Sequence, residues 1–170
     1  MMKRFFNIIL IITFIGCVDN RVEPNESSEF YKPLLMHRSE LENSIELRDK
    51  RDINNPTKIY LKDNYIFITE KYYGVHIIDN SDPKNPVNIG FISVPGCVDV
   101  AIKQNIMYVD NATDLVAIDL SDYNNLKEVK RIKDAFPELY PPDNNNWIPN
   151  EYKKENRPEN TVIVAWVKTN

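Results

Sequence analysis

Glycine is scarce in this chain, at four of 170 residues, and cysteine and histidine are scarcer still, at two each. The glycines fall at positions 16, 74, 90 and 96, which leaves no glycine-rich loop to cradle a phosphate. A G-x-S-x-G elbow, an H-E-x-x-H helix and a paired Cys-x-x-Cys are equally missing, so the familiar nucleophile and zinc signatures are excluded. His37 and His76 stand alone, neither with a second ligand at metal spacing, and no metal or cofactor is expected. His76 lies between Val75 and Ile77 and reads as a histidine packed or hydrogen-bonded within a strand. Basic residues number 21 against 25 acidic ones, with no basic run, which argues against nucleic acid as a partner.

One long apolar run is present, at the N-terminus. Lys3 and Arg4 precede Phe5–Ile15 (FFNIILIITFI), interrupted only by Asn7. The run is too short to cross roughly 30 Å of hydrocarbon comfortably as a permanent helix, but suits the core of a signal peptide. It ends in Phe14-Ile15-Gly16-Cys17, which resembles the lipobox of bacterial lipoproteins, with Phe14 where leucine is usual. The resemblance implies a thioether-linked diacylglycerol on Cys17, cleavage before it, and usually acylation of the new amine. One acyl chain holds a protein only marginally at about 0.8 kcal/mol per methylene, whereas two or three anchor it durably. The expected location is therefore the cell envelope, lipid-anchored at the outer membrane, with the membrane itself as a partner through Cys17. Loss of Lys3 and Arg4 leaves 19 basic against 25 acidic residues, a formal charge of about −6.

If Cys17 carries lipid, Cys97 has no disulfide partner. Within Val94-Pro95-Gly96-Cys97-Val98 it reads as a small buried apolar residue; the alternative, a reactive thiol, is disfavoured because no adjacent cation lowers its pKa.

The remainder divides by pattern. Residues 1–16 are read as signal peptide and 17–36 as a polar tether, with no apolar period from Val18 to about Lys32. Residues 37–56 are a short lead-in. Ser39-Glu40-Leu41-Glu42 has the form of a capping box, predicting a helix ending near Ser44 with Leu41 and Ile45 on one face, then an extended piece at Ile45–Arg48. From Thr57 the period becomes two, an all-β signal. Four strands are predicted at Thr57–Lys62, Asn64–Glu70, Gly74–Asp79 and Val87–Val94, forming one antiparallel sheet over residues 57–96.

The pattern then recurs. Lys58–Ile66 aligns with Asp99–Met107 at an offset of 41 residues, and Val75–Asp82 with Leu115–Asp122 at an offset of 40. The fourth strand returns at Leu126–Ile132, completing a second unit over residues 97–136. Four strands in about 40 residues is the size of a propeller blade. Leu115-Val116-Ala117-Ile118-Asp119-Leu120-Ser121-Asp122 resembles the signature of LVIVD-repeat proteins, and His76-Ile77-Ile78-Asp79-Asn80-Ser81-Asp82-Pro83 is similar to its other common form. The resemblance implies a β-propeller-like, often lipid-anchored protein of the kind frequent in Bacteroidota, and says almost nothing about activity. Relatives generally carry more blades than the two seen here. In the motif, Asp79, Ser81, Asp82 and their counterparts Asp119, Ser121 and Asp122 are read as turn-formers. A calcium loop is disfavoured by the missing alternation of ligands, glycine and terminal glutamate.

Residues 137–170 combine a proline- and asparagine-rich loop with a last strand, Thr161–Lys168. Tyr140, Trp147 and Tyr152 in that loop could stack on a sugar or grip an extended peptide, against the plainer reading that they pin the loop to the body. The expected fold is all-β: two four-stranded antiparallel blades of an incomplete propeller, preceded by a signal helix and a lead-in helix. Two blades and a lone strand cannot close a ring, so open sheet edges invite self-association or a partner. The expected function is a non-catalytic binding or scaffold module for a protein or glycan. The alternative is a partial propeller or truncated gene product working only with a partner chain, and a hydrolase of envelope polymers ranks last.

Overall fold

The computed structural model describes residues 30–123, 125–143 and 147–169; the expected signal helix, Cys17 and most of the expected tether lie outside the described residues. In chain order the elements are β1 (Tyr31–His37), α1 (Arg38–Leu41), β2 (Glu46–Arg48), β3 (Pro56–Lys62), β4 (Tyr65–Glu70) and β5 (Gly74–Asp79). They continue with β6 (Val87–Ser93), β7 (Val100–Lys103), β8 (Ile106–Asn111), β9 (Asp114–Asp119), β10 (Lys127–Ile132) and β11 (Thr161–Lys168). Three antiparallel sheets result, ordered β2-β6-β5-β4-β3, β10-β9-β8-β7 and β1-β11.

The two repeats share one pairing scheme. Tyr60↔Phe67 and Phe67↔Ile77 in the first sheet recur as Ala101↔Tyr108 and Tyr108↔Ala117 in the second. Ile78↔Asn88, a bulge, then Ile77↔Gly90 recurs as Ile118↔Glu128, a bulge, then Ala117↔Lys130. Left-handed backbone also recurs at matching turn positions, Asp63 with Gln104 and Tyr72 with Ala112. A shared register this strict arises because a one-residue slip would send every core side chain to the wrong face.

The sheets stack face to face. Phe67, Val75, Ile77 and Ile92 of the first meet Val100, Ile102, Met107, Val109, Val116 and Ile118 of the second in one buried core. Each such side chain removed from water contributes about 1.5–3 kcal/mol, which makes this layer the main source of stability. Tyr60 spans it, its hydroxyl donating to the Ile102 carbonyl at 2.5 Å. The link between sheets passes through Gly96, at φ 81°, where an added Cβ would fall 2.5 Å from the Ala112 nitrogen. Only glycine fits that approach.

The β1-β11 ribbon crosses one end of the stack, where Met36, Val162 and Val164 pack with Leu41 and Ala112. Four expectations are corrected. The tether does not extend to residue 36, since Tyr31–His37 is a strand, and Thr161–Lys168 is not alone, since it pairs with that strand. The first sheet has five strands, because Glu46–Arg48 pairs with β6. The helix is a single turn capped by His37, whose Nδ1 accepts from the Ser39 amide at 3.3 Å. Its Glu42 turns away from Ser39 to Arg38, at 3.0 Å, and to Lys133. Tertiary pairing decides this outcome: the Arg38 amide donates to Asn160 at 2.7 Å, so helix follows strand without room for a separate cap.

Candidate functional site

The segment after the second sheet folds back along the ribbon and encloses a groove of about 510 Å3. Its walls include Arg38, Thr113, Asp134, Phe136, Glu138, Lys154 and Arg157. The groove is shaped by two ion networks. Arg157 is buried and forks onto Glu138, and it donates to the Thr161 carbonyl at 3.0 Å and the Tyr152 carbonyl at 3.3 Å. Asp114, fully buried, accepts from Arg38 at 2.7 and 2.9 Å, from Arg131 at 2.9 Å and from the Asp134 amide at 3.0 Å. Burial by itself would raise the Asp114 pKa, but those donors outweigh it and hold the carboxyl below its ordinary range. The two guanidinia in the groove wall, of Arg38 and Arg157, are thus committed within the protein. Lys154, the exposed Asp134 and the 41 % exposed Phe136 also line the groove.

The three candidate aromatics divide. Tyr152 lies in a 3-10 turn with its ring edge-on to Trp166 at 5.8 Å, and the Trp166 indole donates to the Leu139 carbonyl at 2.9 Å. It therefore pins the loop. Tyr140 is exposed and Trp147 half-buried, and neither lines the groove. Phe136 was missed by sequence reasoning; its one signal was an aromatic before Pro137 at the start of the loop.

The motif residues lie at the ends of β5 and β9 and in the loops that follow. The Ser81 amide donates to Asp79 and the Ser121 amide to Asp119, each at 2.8 Å. Hydrogen bonds from the serine hydroxyl, then the amide, lower both carboxyl pKa values. Asp82 accepts from the Lys84 amide at 3.1 Å and the Asn85 side chain at 2.8 Å, and Asp122 accepts the Asn125 amide through its carbonyl at 3.1 Å.

His76 is fully buried, and its Nε2 sits 2.7 Å from Glu70 Oε2. Arg51 completes the cluster, 3.3 Å from Glu70 and stacked over the Phe91 ring at 5.0 Å. No substrate reaches an imidazole so enclosed. Cys97 is buried too; burial first, then Asp110, pushes its thiol pKa well up, so it is neither thiolate nor nucleophile. Among the described residues no group of three or more His, Cys, Asp or Glu could hold a metal ion, and no helix is long and apolar enough to cross a membrane.

No family model, curated protein or solved structure matches the chain.

Proposed function

We propose that this chain is a lipid-anchored protein of the bacterial cell envelope, placed at the outer membrane, whose repeats are LVIVD-type propeller blades serving as a non-catalytic binding module. The observation that carries the anchor is Gly16-Cys17 directly after the basic pair and apolar run of residues 3–15. The shared register of the two repeats and their paired Asp-Ser turns support the blade assignment. For binding, support comes from the groove lined by Phe136 and from Tyr140, exposed outside that lining on the same segment, aromatics that suit a glycan or an extended peptide. The two arginines of the groove, Arg38 and Arg157, are used for structure, and we take this as favouring recognition over turnover.

The anchor is tested by Cys17→Ser in cells fed an alkyne fatty acid. Lipid labelling and membrane retention should both disappear; persistence of the label removes the proposal. For recognition, Phe136→Ala and Tyr140→Ala should weaken capture on a glycan or peptide array, while Asp79→Ala should leave it unchanged. Equal capture by all three would remove the groove from consideration.

A further inference from the structure

The stacked sheets leave two outer faces, and each is the repeat equivalent of a face that the core buries on the other sheet. On the first sheet, pairing places Ile59, Leu61, Ile66, Ile68 and Ile78 on the face turned away from Phe67. One repeat further on, those positions are Val100, Ile102, Met107, Val109 and Ile118, which the core buries against the first sheet. Yet Ile59 and Leu61 are each 68 % exposed and Ile66 and Ile68 are half-buried, so the open part of this face is its β3 side, Ile78 being already buried. The second sheet shows the converse. Its outer face carries Ile106, Tyr108, Leu115, Ala117 and Ile132 around an apolar hollow of about 260 Å3. Their first-repeat counterparts Tyr65, Phe67, Val75, Ile77 and Ile92 belong to, or pack on, the buried core.

We propose that the outer face of the second sheet takes the outer face of the first sheet in a second copy of this chain, head to tail, repeating the internal contact between molecules. The occupant is specified by what already fills the equivalent place within one chain. Charge agrees: Lys58 pairs with Asp99 across the internal contact, and the two are repeat equivalents. Adding one more repeat therefore sets Asp99 of one copy toward Lys58 of the next, again opposite in sign. Tyr60 has no counterpart, since Ala101 takes its position, so the intermolecular contact lacks that hydrogen bond and is weaker than the internal one. The contact uses sheet faces rather than edges, and being heterologous it propagates until rotation closes a ring.

The test is the mass of the full chain in density-matched detergent by sedimentation velocity, across a concentration series. The native chain should assemble beyond a single protomer as concentration rises. Leu61→Glu blocks one face and Ile132→Glu the other, so each variant alone should remain a single protomer, whereas an equimolar mixture should give a one-to-one pair and nothing larger. A native chain that stays monomeric overturns the proposal. So does assembly of either variant alone, which marks a self-matching contact, or a mixture that fails to pair. Ile59→Glu with Tyr108→Glu repeats the test at independent positions, with unchanged urea midpoints showing that each variant folds.

Discussion

The two repeats share a backbone plan but fill one corner of it differently. At the end of the first sheet nearest the ribbon, Glu70, His76 and Phe91 are joined by Arg51. The matching positions in the second sheet hold Asn111, Val116 and Arg131, and there Asp114 stands where the first has Gly74. Arg131 donates to Asn111 at 2.7 Å and to Asp114 at 2.9 Å, with Arg38 arriving from α1. Each corner is thus a buried charge cluster closed by an arginine from the lead-in segment. Strand register is conserved between repeats because backbone pairing and the core require it, whereas the corner needs only that every buried charge finds a partner.

The largest effect that would separate the corners is expected at Asp114. Asp114→Ala removes the buried carboxylate that Arg38 and Arg131 share, leaving Arg38 with Glu42 and Arg131 with Glu128, and should cost about 3–5 kcal/mol in urea unfolding. The same carboxyl sets the acid response. Its folded pKa lies below the unfolded value, so its stabilisation is complete above the ordinary carboxylate range, near pH 4, and is lost as pH falls through the folded pKa. Native Asp114 should therefore give an acid-side decline in unfolding free energy that Asp114→Asn flattens. A flat native profile would remove Asp114 as the tie.

Next is Gly74, at φ 147°, where an added Cβ would lie 2.0 Å from the Ile92 carbonyl oxygen. Gly74→Ala should cost about 1–3 kcal/mol through forced displacement of β6, read from thermal unfolding. Comparable in size is His76→Val, which imports the second repeat's residue and strips Glu70 of one partner, at about 1–3 kcal/mol. Adding Glu70→Asn, the second repeat's other choice, should recover part of the loss. A double-mutant cycle showing no coupling between positions 70 and 76 would mean that their contact contributes nothing beyond packing. The smallest effect should be Asp79→Ala against Asp119→Ala. Both remove the exposed turn hydrogen bonds from a serine amide, at 2.8 Å, and its hydroxyl, so their shifts in urea midpoint should be slight and equal. Unequal shifts would show that the turns are not equivalent.

Much of the body was legible in the sequence because its cues are local. Tyr65–Glu70 and Gly74–Asp79 read as strands from β-branched and aromatic residues between turns, and the Asp79 and Asp119 turns followed from side chains that reach their own backbone two residues on. The burial of His76 and Cys97 followed from apolar neighbours. The ribbon was not legible, since Tyr31–His37 acquires strand structure only by pairing with Thr161–Lys168 at the far end of the described chain. Nor was the groove, whose walls come from segments separated by most of the sequence, Arg38 and Arg157 among them. The capping-box reading of Ser39 failed for a related reason, as a long-range bond to Asn160 set where the helix begins.

Amino-acid order alone determined the period-two strands, their tight turns and their duplication, because alternation and turn chemistry act over a few residues. Tertiary structure alone decided that the sheets stack front to back, that the chain's two flanks join in a ribbon, and that Arg38 and Arg51 close the charged corners. Those outcomes depend on which buried surface or charge finds its complement across the molecule, and neither spacing nor composition encodes that distance.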